Sequence, residues 1–332
     1  MRIFKRFLTL FCISIIGLIG CKESTNDNGG GEIENDTQQQ EIISDIKANL
    51  PEGVEVPSEK TKQEIVFKTI EEKELKMIIQ KPIGDFEEKC PVLFLITGGG
   101  FVDGDRNSMM TFMSSEISSL RREGYMVCSI DYRLFADNVN MSQIVSDCMD
   151  GIRYLHVFQE ELNIDVKQIS VCGHSAGGYL TLGMAAFDQK YFYYDSPFKK
   201  VTYTLKSIAA LSPVITFHEI NGKRSYDDAI MKSLIAKENY KFDVENLCPY
   251  CLLNSKQCKT LLVHGNADTI VSYEASQEYV NKARTVGCDI TFLTSDNGEH
   301  AYNAGDVNKP VSLTLVDVCA KVHSFLNGEE LN

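Results

Sequence analysis

The sequence has little positive charge, no long hydrophobic run and no internal repeat. Its 332 residues include 33 lysines and arginines against 46 aspartates and glutamates, a net charge of −13. Proteins that bind nucleic acid concentrate positive charge, so this balance argues against a nucleic-acid partner. The apolar stretch at residues 7–19 is shorter than the roughly 20 residues of a transmembrane helix. The ordinary apolar fraction of 43% indicates a globular protein rather than a disordered one.

Residues 1–20 have the pattern of a secretory signal peptide, with a basic head, a short apolar core and a small residue before the cleavage point. The sequence Leu-Ile-Gly-Cys at residues 18–21 resembles a bacterial lipobox, which implies that Cys21 carries a lipid. Lys22 stands where an inner-membrane retention signal has aspartate, which favours the outer membrane. We therefore expect a lipid-anchored protein of the bacterial cell envelope, facing the periplasm or the cell surface. An ordinary signal peptide or a single membrane anchor is the alternative.

Residues 21–50 are predicted to be a flexible polar tether. They are polar and glycine-rich, and they show none of the apolar periodicity of a packed element. The folded domain is then expected at residues 51–332.

From about residue 62, short apolar runs alternate with helical patterns. This alternation indicates an α/β fold with a mainly parallel sheet of about eight strands and helices on both faces. Residues 187–247, rich in Tyr, Phe and Lys without a clean period, are predicted to form a small lid. The predicted strands are 64–68, 75–79, 92–96, 125–130, 169–172, 208–211, 261–263 and 290–293, and the main predicted helices are 110–122, 144–162, 272–284 and 311–326.

The sequence Gly-His-Ser-Ala-Gly at residues 173–177 follows an apolar run and precedes a stretch of small residues. A strand, Gly-x-Ser-x-Gly and a helix in this order are typical of a nucleophile elbow, a sharp turn that exposes a serine hydroxyl at the edge of a parallel sheet. The glycines leave room for the strained turn. The pattern predicts Ser175 as a nucleophile.

A serine nucleophile needs a general base and an acid that orients the base. In hydrolases with this elbow, the acid and then the histidine follow the serine along the chain. Asp268 lies on the loop after a predicted strand, and His300 lies on a loop after the last one. The sequence therefore predicts Asp268 as the acid and His300 as the base. The other histidines are His156 in a helix, His174 in the elbow, His218 in the predicted lid, His264 at a strand end where its ring is expected to pack or bond locally, and His323 on the last helix.

Three glycines at residues 98–100 follow the third predicted strand. Glycines there let backbone N–H groups approach a substrate oxygen, and with the N–H of Ala176 they would form an oxyanion hole of three donors. A glycine-rich phosphate loop is the alternative. It is disfavoured because no Lys-Ser/Thr pair follows and the spacing does not fit a dinucleotide fingerprint.

Taken together, these motifs resemble those of α/β-hydrolase carboxylesterases, in particular the hormone-sensitive-lipase-like and the bacterial acetyl-xylan or feruloyl esterase groups. The resemblance covers residues 60–328, nearly all of the predicted mature chain. Its motifs are Gly-Gly-Gly-Phe at 98–101, Asp-Tyr-Arg-Leu at 131–134, Gly-His-Ser-Ala-Gly-Gly at 173–178, His-Gly-x-x-Asp-x-x-Val at 264–271 and Glu-His at 299–300.

The resemblance implies the α/β-hydrolase fold and an acyl-enzyme mechanism. It assigns Ser175 as nucleophile, Asp268 as acid and His300 as base, and the backbones of Gly99, Gly100 and Ala176 as oxyanion donors. No cofactor or metal is expected. Thr97 departs from the family, which usually has histidine there, and this puts the geometry of the oxyanion loop in question. Arg133 is expected to pin loops near the site.

The resulting prediction is a serine carboxylic-ester hydrolase for short-chain acyl or carbohydrate-linked esters, with a small molecule or a glycan ester as substrate. One alternative is a prolyl-oligopeptidase-like peptidase, a family that usually carries a large propeller domain. Another is a catalytically inactive lipoprotein that binds glycans.

The sequence Cys-Pro-Tyr-Cys at residues 248–251, with Cys258 seven residues further on, is the one cysteine cluster of note. Such spacing occurs in zinc sites and redox pairs. A zinc site needs further ligands nearby, and a thioredoxin-type site needs its own fold. A loop disulfide within this cluster, or free thiols, is therefore expected.

Overall fold

The computed structural model describes residues 29–193, 195–217, 219–220, 223–225, 233–234 and 244–331. The predicted signal peptide, Cys21 and His218 lie outside these ranges. The chain divides into two compact units, Met1–Gln38 and Gln39–Asn332, and the packing and the site described below belong to the second unit.

The core of the second unit is an eight-stranded sheet with the strand order β1-β2-β4-β3-β5-β6-β9-β10. Strand β2 pairs antiparallel with both neighbours, and all other neighbours pair parallel. This confirms the predicted α/β fold with about eight strands. The strands are β1 (Lys62–Ile70), β2 (Lys73–Gln80), β3 (Cys90–Ile96), β4 (Met126–Ile130), β5 (Ile164–His174), β6 (Ser207–Leu211), β9 (Lys259–Gly265) and β10 (Ile290–Ser295), and a separate pair is formed by β7 (Glu219–Ile220) and β8 (Lys223–Arg224).

Helices cover both faces of this sheet. Alternate residues of β3 belong to two different apolar clusters, because successive side chains of a strand point to opposite faces: Phe94 lies in one cluster, and Leu93 and Leu95 lie in the other. Helices α4, α6 and α7 pack in the first cluster, and α2, α3 and α8 pack in the second. The helices are α1 (Gly29–Ala48), α2 (Arg106–Phe112), α3 (Ser114–Arg122), α4 (Met141–Val157), α5 (Gln159–Leu162), α6 (Ala176–Ala186), α7 (Tyr273–Thr285) and α8 (Leu315–Leu326), with 3-10 turns at Phe135–Asp137, Gln189–Tyr191 and Val244–Leu247.

Two helices begin at residues set by side-chain caps, which differ from the starts predicted from the spacing of apolar residues. Asn140 and Thr314 each accept a backbone N–H three residues on and complete a capping box, so α4 begins earlier than predicted and α8 later. The helix predicted at 110–122 is two helices, because Asp105 caps α2 and the chain turns at Met113 before α3 begins.

The predicted tether is wrong over residues 29–48, which form α1. Ile42, Ile43 and Ile46 of this helix pack against the core, and Lys47 forms an ion pair of 2.7 Å with Glu161. Three isoleucines within five residues make a short apolar face, which a generally polar composition conceals.

Within the described residues, no helix is long and apolar enough to cross a membrane.

The first part of the predicted lid, residues 187–205, packs on α4. Ser146 donates a hydrogen bond to the carbonyl of Phe192, and Arg153 donates one to the carbonyl of Val201. Phe192 and Phe198 are fully buried. This part of the predicted lid is thus packed on the core, and most of residues 218–247 lies outside the described ranges.

A buried network of three cations and three anions joins β1, α4 and the segments after β4 and α6. Lys68 lies 2.8 Å from Asp147 and 2.8 Å from Asp150, and it is fully buried. Arg133 pairs with Asp147 at 2.7 Å, as expected of a residue that pins loops. We call this network the charge cluster; its members are Lys68, Arg133, Arg153, Asp147, Asp150 and Asp195.

Candidate active site

Ser175 lies in a strained turn between β5 and α6. Its backbone has φ 58° and ψ −118°, a conformation that residues other than glycine rarely adopt. A Cβ at Gly173 would lie 2.3 Å from the carbonyl oxygen of Gly177, and one at Gly177 would lie 2.2 Å from that of Ile96. Both positions need glycine, and the strained turn that Gly-x-Ser-x-Gly predicts is present.

The segment after β6 braces this turn. The N–H of Ser175 donates to the carbonyl of Leu211 at 2.8 Å, and the N–H of Val214 donates to the carbonyl of Ser175 at 3.4 Å. A Cβ at Gly178 would lie 2.8 Å from Pro213. The strain at Ser175 is thus held by hydrogen bonds and close packing from the neighbouring strand.

Asp268 and His300 are in direct contact. Oδ2 of Asp268 lies 2.7 Å from Nδ1 of His300, and Oδ1 accepts the N–H groups of Ile270 at 2.8 Å and Val271 at 2.9 Å. Burial by itself would raise the pKa of Asp268, but hydrogen bonds from His264 and His300 outweigh it and hold the pKa well below its usual range. The carboxylate is ionised, and His300 donates from Nδ1, which directs Nε2 away from the acid.

The loops that carry the acid and the base are bonded to each other. The N–H of Ala267 donates to the carbonyl of Gly298 at 3.0 Å. The N–H of Thr269 donates to the carboxylate of Glu299 at 3.0 Å. Because the loop after β9 and the loop after β10 are cross-linked in this way, the relative position of Asp268 and His300 is fixed from both sides.

The structure places Ser175 beside this pair without a direct bond to it. Nε2 of His174 lies 2.9 Å from the carbonyl oxygen of His300, and the two rings are 4.7 Å apart. Among the described residues, no hydrogen bond joins Ser175 Oγ to His300 Nε2. Such bonds are often long in a site without substrate and tighten when substrate binds.

The glycine loop after β3 lies against the nucleophile. A Cβ at Gly98 would lie 3.2 Å from Cβ of Ser175, and the hydroxyl of Tyr132 donates to the carbonyls of Thr97 and Gly98 at 3.0 and 3.1 Å. Tyr132 thus holds this loop in place although Thr97 stands where the family usually has histidine.

Three backbone N–H groups near Ser175 are available to a ligand. Those of Gly99 and Gly100 donate to no acceptor in the described part of the chain, and Ala176 is the first residue of α6, where an N–H has no partner within the helix. Gly99 and Gly100 have φ 94° and 60°. These are the three groups that the sequence predicts as oxyanion donors.

A cavity of about 240 Å³ lies between the glycine loop and α2. Its wall combines hydroxyl and carboxylate groups with two apolar side chains and the ring of His174, which stacks on Phe112 at 4.8 Å. The side chains that line it are Thr97, Asp103, Ser108, Met109, Phe112 and His174.

Sequence reasoning missed two residues of the site. His264 bonds locally as expected, but its partner is the acid: Nε2 lies 3.0 Å from Oδ2 of Asp268. Glu299 joins the acid loop through Thr269. The spacing of four residues between His264 and Asp268 was the available signal, whereas nothing in the sequence pairs Glu299 with a residue 30 positions away.

Cys248 and Cys251 form a disulfide, and Cys258 is a free thiol. Of the two outcomes expected from sequence, a loop disulfide or free thiols, the disulfide is the one observed. In the ranges that the structure describes, no group of three or more His, Cys, Asp or Glu side chains is arranged to hold a metal ion.

The fold and the arrangement of elbow, acid and base define the chain as an α/β-hydrolase. Solved structures of esterase 2 from Thermogutta terrifontis superpose with a TM-score of 0.66. The native form is 18% identical, and the alignment covers 82% of this chain and 94% of that one. The propionate-bound form is 20% identical, with coverage of 84% and 96%. At this identity the likeness establishes the fold.

The particular family follows from the sequence. The chain matches the model of the BD-FAE family over residues 79–283, more than half of its length, and it belongs to that family.

Two curated relatives match part of the chain. A probable isoprenylcysteine alpha-carbonyl methylesterase of Oryza sativa subsp. japonica is 24% identical over 228 residues, which are 65% of this chain and 53% of the relative. A putative alpha/beta hydrolase of Acanthamoeba polyphaga mimivirus is 27% identical over 128 residues, 39% of this chain and 36% of the relative. The chain thus spans about half of the length of the first relative and about a third of the second.

Proposed function

We propose that the protein is a serine carboxylic-ester hydrolase that acts through an acyl-enzyme on Ser175. The observation that carries this proposal is the bond of 2.7 Å between Asp268 and His300 beside the strained turn of Ser175. A buried acid that fixes the tautomer of a histidine next to a serine held in a strained turn is the arrangement that activates a serine hydroxyl.

The proposed reaction uses these groups in turn. The carbonyl oxygen of the ester would accept hydrogen bonds from the backbone N–H groups of Gly99, Gly100 and Ala176. These bonds stabilise the negative charge that develops on the oxygen. Nε2 of His300 takes the proton of the Ser175 hydroxyl while Oγ bonds to the carbonyl carbon. The same proton then passes to the alcohol oxygen as the ester bond breaks. Water repeats these steps in the second half of the reaction and releases the carboxylic acid.

The proposed substrates are short-chain acyl esters or esters linked to carbohydrate. Structures of the Thermogutta esterase hold propionate and butyrate, and the rice relative is named as a methylesterase, so both involve small groups on one side of the ester. The cavity beside the glycine loop has Asp103, Ser108 and Thr97 in its wall, and these groups suit an alcohol that carries further hydroxyls.

Turnover of p-nitrophenyl acetate tests the reaction. The wild type should release nitrophenol, and Ser175→Ala should lower kcat by about 10⁴- to 10⁶-fold because the nucleophile is removed. Ser170→Ala is the matched control, since Ser170 lies on β5, the strand that leads to Ser175, and in the described structure its hydroxyl bonds only to that of Ser207. Absence of turnover in the wild type would contradict the proposal and favour a binding protein without catalysis.

A panel of acetylated xylan, feruloyl esters and prolyl peptides then assigns the substrate. Hydrolysis of the esters alone is expected. Cleavage of the prolyl peptides at a higher kcat/KM than any ester would instead identify a peptidase.

We also propose that the protein is anchored to the cell envelope by a lipid on Cys21. The support is the lipobox-like sequence at residues 18–21 and the basic head before it. Cells fed an alkyne fatty acid should label the wild type and not Cys21→Ser, while Cys12→Ser is the matched control and should remain labelled. Label retained in Cys21→Ser would contradict the anchor.

A further inference from the structure

A second histidine contacts the same oxygen of the acid as His300 does. His264 lies near the end of β9 and is fully buried. Its Nε2 is 3.0 Å from Oδ2 of Asp268, the same oxygen that Nδ1 of His300 approaches at 2.7 Å. The proposed mechanism needs only one histidine on this carboxylate, so the role of the second one is open.

The surroundings of His264 determine which nitrogen carries the proton. Nε2 faces two acceptors, Oδ2 of Asp268 and the carbonyl oxygen of Val271 at 3.2 Å. Neither acceptor has a proton to give, so Nε2 must be the N–H donor. Nδ1 lies 2.7 Å from the hydroxyl of Ser276, which is buried on α7 and donates to it in the neutral ring.

The carboxylate of Asp268 is therefore held by four donors. Two backbone N–H groups, those of Ile270 and Val271, fix Oδ1, and two imidazole N–H groups fix Oδ2. With His264 absent, Oδ2 would keep one partner, and the carboxylate would be free to tilt about its Oδ1 contacts. A tilt moves the one oxygen that orients His300.

We propose that His264 is a positioning residue: locked in the Nε2–H tautomer by Ser276, it donates to Asp268 so that Oδ2 faces Nδ1 of His300 throughout turnover. This inference rests on the proposed esterase function. His264 is the first residue of the His-Gly-x-x-Asp motif. In this inference it supports the reaction by holding Asp268 and does not itself touch the substrate.

Kinetics of the full chain test this role. In His264→Phe, kcat for p-nitrophenyl acetate should fall about 10- to 100-fold with KM nearly unchanged, the range typical for the loss of a group that orients a reacting side chain from behind. The acidic limb of kcat/KM should move to lower pH by about 0.5–1 unit, because a tilted carboxylate stabilises the imidazolium of His300 less well. His264→Gln keeps an N–H near the position of Nε2 and should restore most of kcat and the position of the limb.

A control variant separates positioning from folding. His156 is also a buried histidine, but it lies on α4 and touches no residue of the site, so His156→Phe should change neither the acidic limb nor kcat of the folded protein. The inference is overturned if His264→Phe keeps wild-type kcat and limb. It is also overturned if the variant loses activity equally at all pH values and His264→Gln does not restore it.

Nuclear magnetic resonance gives a readout that does not depend on turnover. In protein labelled with ¹⁵N-histidine, the ring of His264, assigned by its loss in His264→Gln, should be the Nε2–H tautomer with its proton shifted downfield by Asp268. An Nδ1–H tautomer would overturn the inference even in an active enzyme. If the wild type fails to hydrolyse esters, the proposed function fails, and this spectrum still shows whether His264 holds Asp268.

Discussion

Two buried polar networks of this protein differ in how they end. In the charge cluster, three cations pair with three anions. Asp150, for example, contacts three side chains at once, those of Lys68, Arg153 and Ser196. The second network, which we call the acid–base cluster, is a chain of bonds from Ser276 through His264 and Asp268 to His300. It stops at Nε2 of His300, which has no hydrogen-bond partner among the described residues.

This difference separates a scaffold from a reactive site. A closed set of charges can only hold elements together, because every group already has its partner. A chain of oriented bonds that stops at an unpartnered nitrogen beside Ser175 leaves that nitrogen able to take a proton. Burial and ionic character are common to both clusters, so the unpartnered end is what distinguishes the candidate site.

The largest effect is expected from matched Asp→Asn changes in the two clusters. Asp268 accepts two backbone N–H groups on Oδ1 and two imidazole N–H groups on Oδ2. The amide of Asp268→Asn has only one acceptor oxygen, so kcat should fall about 10⁴-fold, as when the acid of a serine protease triad is made neutral. Asp150→Asn should lower stability and leave kcat of the folded protein within about threefold of wild type. Steady-state kinetics with an active-site titration checks both, and equal losses of kcat would abolish the distinction.

Lys68→Met tests the charge cluster by itself. Lys68 is surrounded by carboxylates, and although burial opposes its charge, Asp147 and Asp150 raise its pKa. Removing the cation takes a partner from three carboxylates, those of Asp147, Asp150 and Asp195, which should lower the free energy of unfolding by about 3–5 kcal/mol. Urea denaturation measures this. A stable variant with lost kcat would show that the cluster acts on the chemistry.

Glu299→Ala tests the outer edge of the acid–base cluster. Thr269 loses the acceptor of its N–H, a bond worth about 0.5–1.5 kcal/mol, so kcat should fall about 2- to 10-fold as the acid loop loosens. Thr269→Val keeps the N–H bond and removes only the hydroxyl contact, so it should stay closer to wild type. The reverse order of the two variants would contradict this reading of the loop.

The smallest effect concerns pH and lies outside both clusters. Burial lowers the pKa of His323, but hydrogen bonds to Glu123 and Glu116 outweigh it and raise the pKa above its usual value. The stabilisation by this contact between α8 and α3 is complete below the unfolded pKa of about 6.5 and is lost as pH rises through the folded pKa.

Thermal melting of His323→Gln checks this sign. The decrease in Tm relative to wild type should be larger near pH 6 than near pH 9, since the wild type itself loses the contact at high pH. A larger decrease at pH 9 would contradict the assignment.

The features that sequence predicted well rest on local physics. Apolar runs predicted all eight strands of the main sheet. The central strands β3 and β4 are the clearest, because a strand buried on both faces is apolar along nearly its whole length. The turn at Ser175 was visible because glycine is required where a Cβ would lie about 2.2 Å from a carbonyl oxygen.

The features that sequence missed depend on distant partners. From sequence alone, Lys68 looks like a solvent-exposed lysine on a strand. Its partner Asp195 lies 127 positions away in the chain, and only the fold brings the two together. Helix α1 looked like a tether because its three isoleucines gain their meaning only from the core that they contact. A local bond was correctly predicted for His264, but its partner became informative only once the structure showed His300 on the same carboxylate.

Labelling with a fluorophosphonate tests the central claim most directly. The probe should modify the wild type on Ser175 alone, as read by mass spectrometry of the peptide that contains it, and a substrate ester should slow the labelling. Asp268→Asn should label far more slowly, and Asp150→Asn should label at nearly the wild-type rate. Labelling at another residue, or none in a folded wild-type protein, would contradict the account.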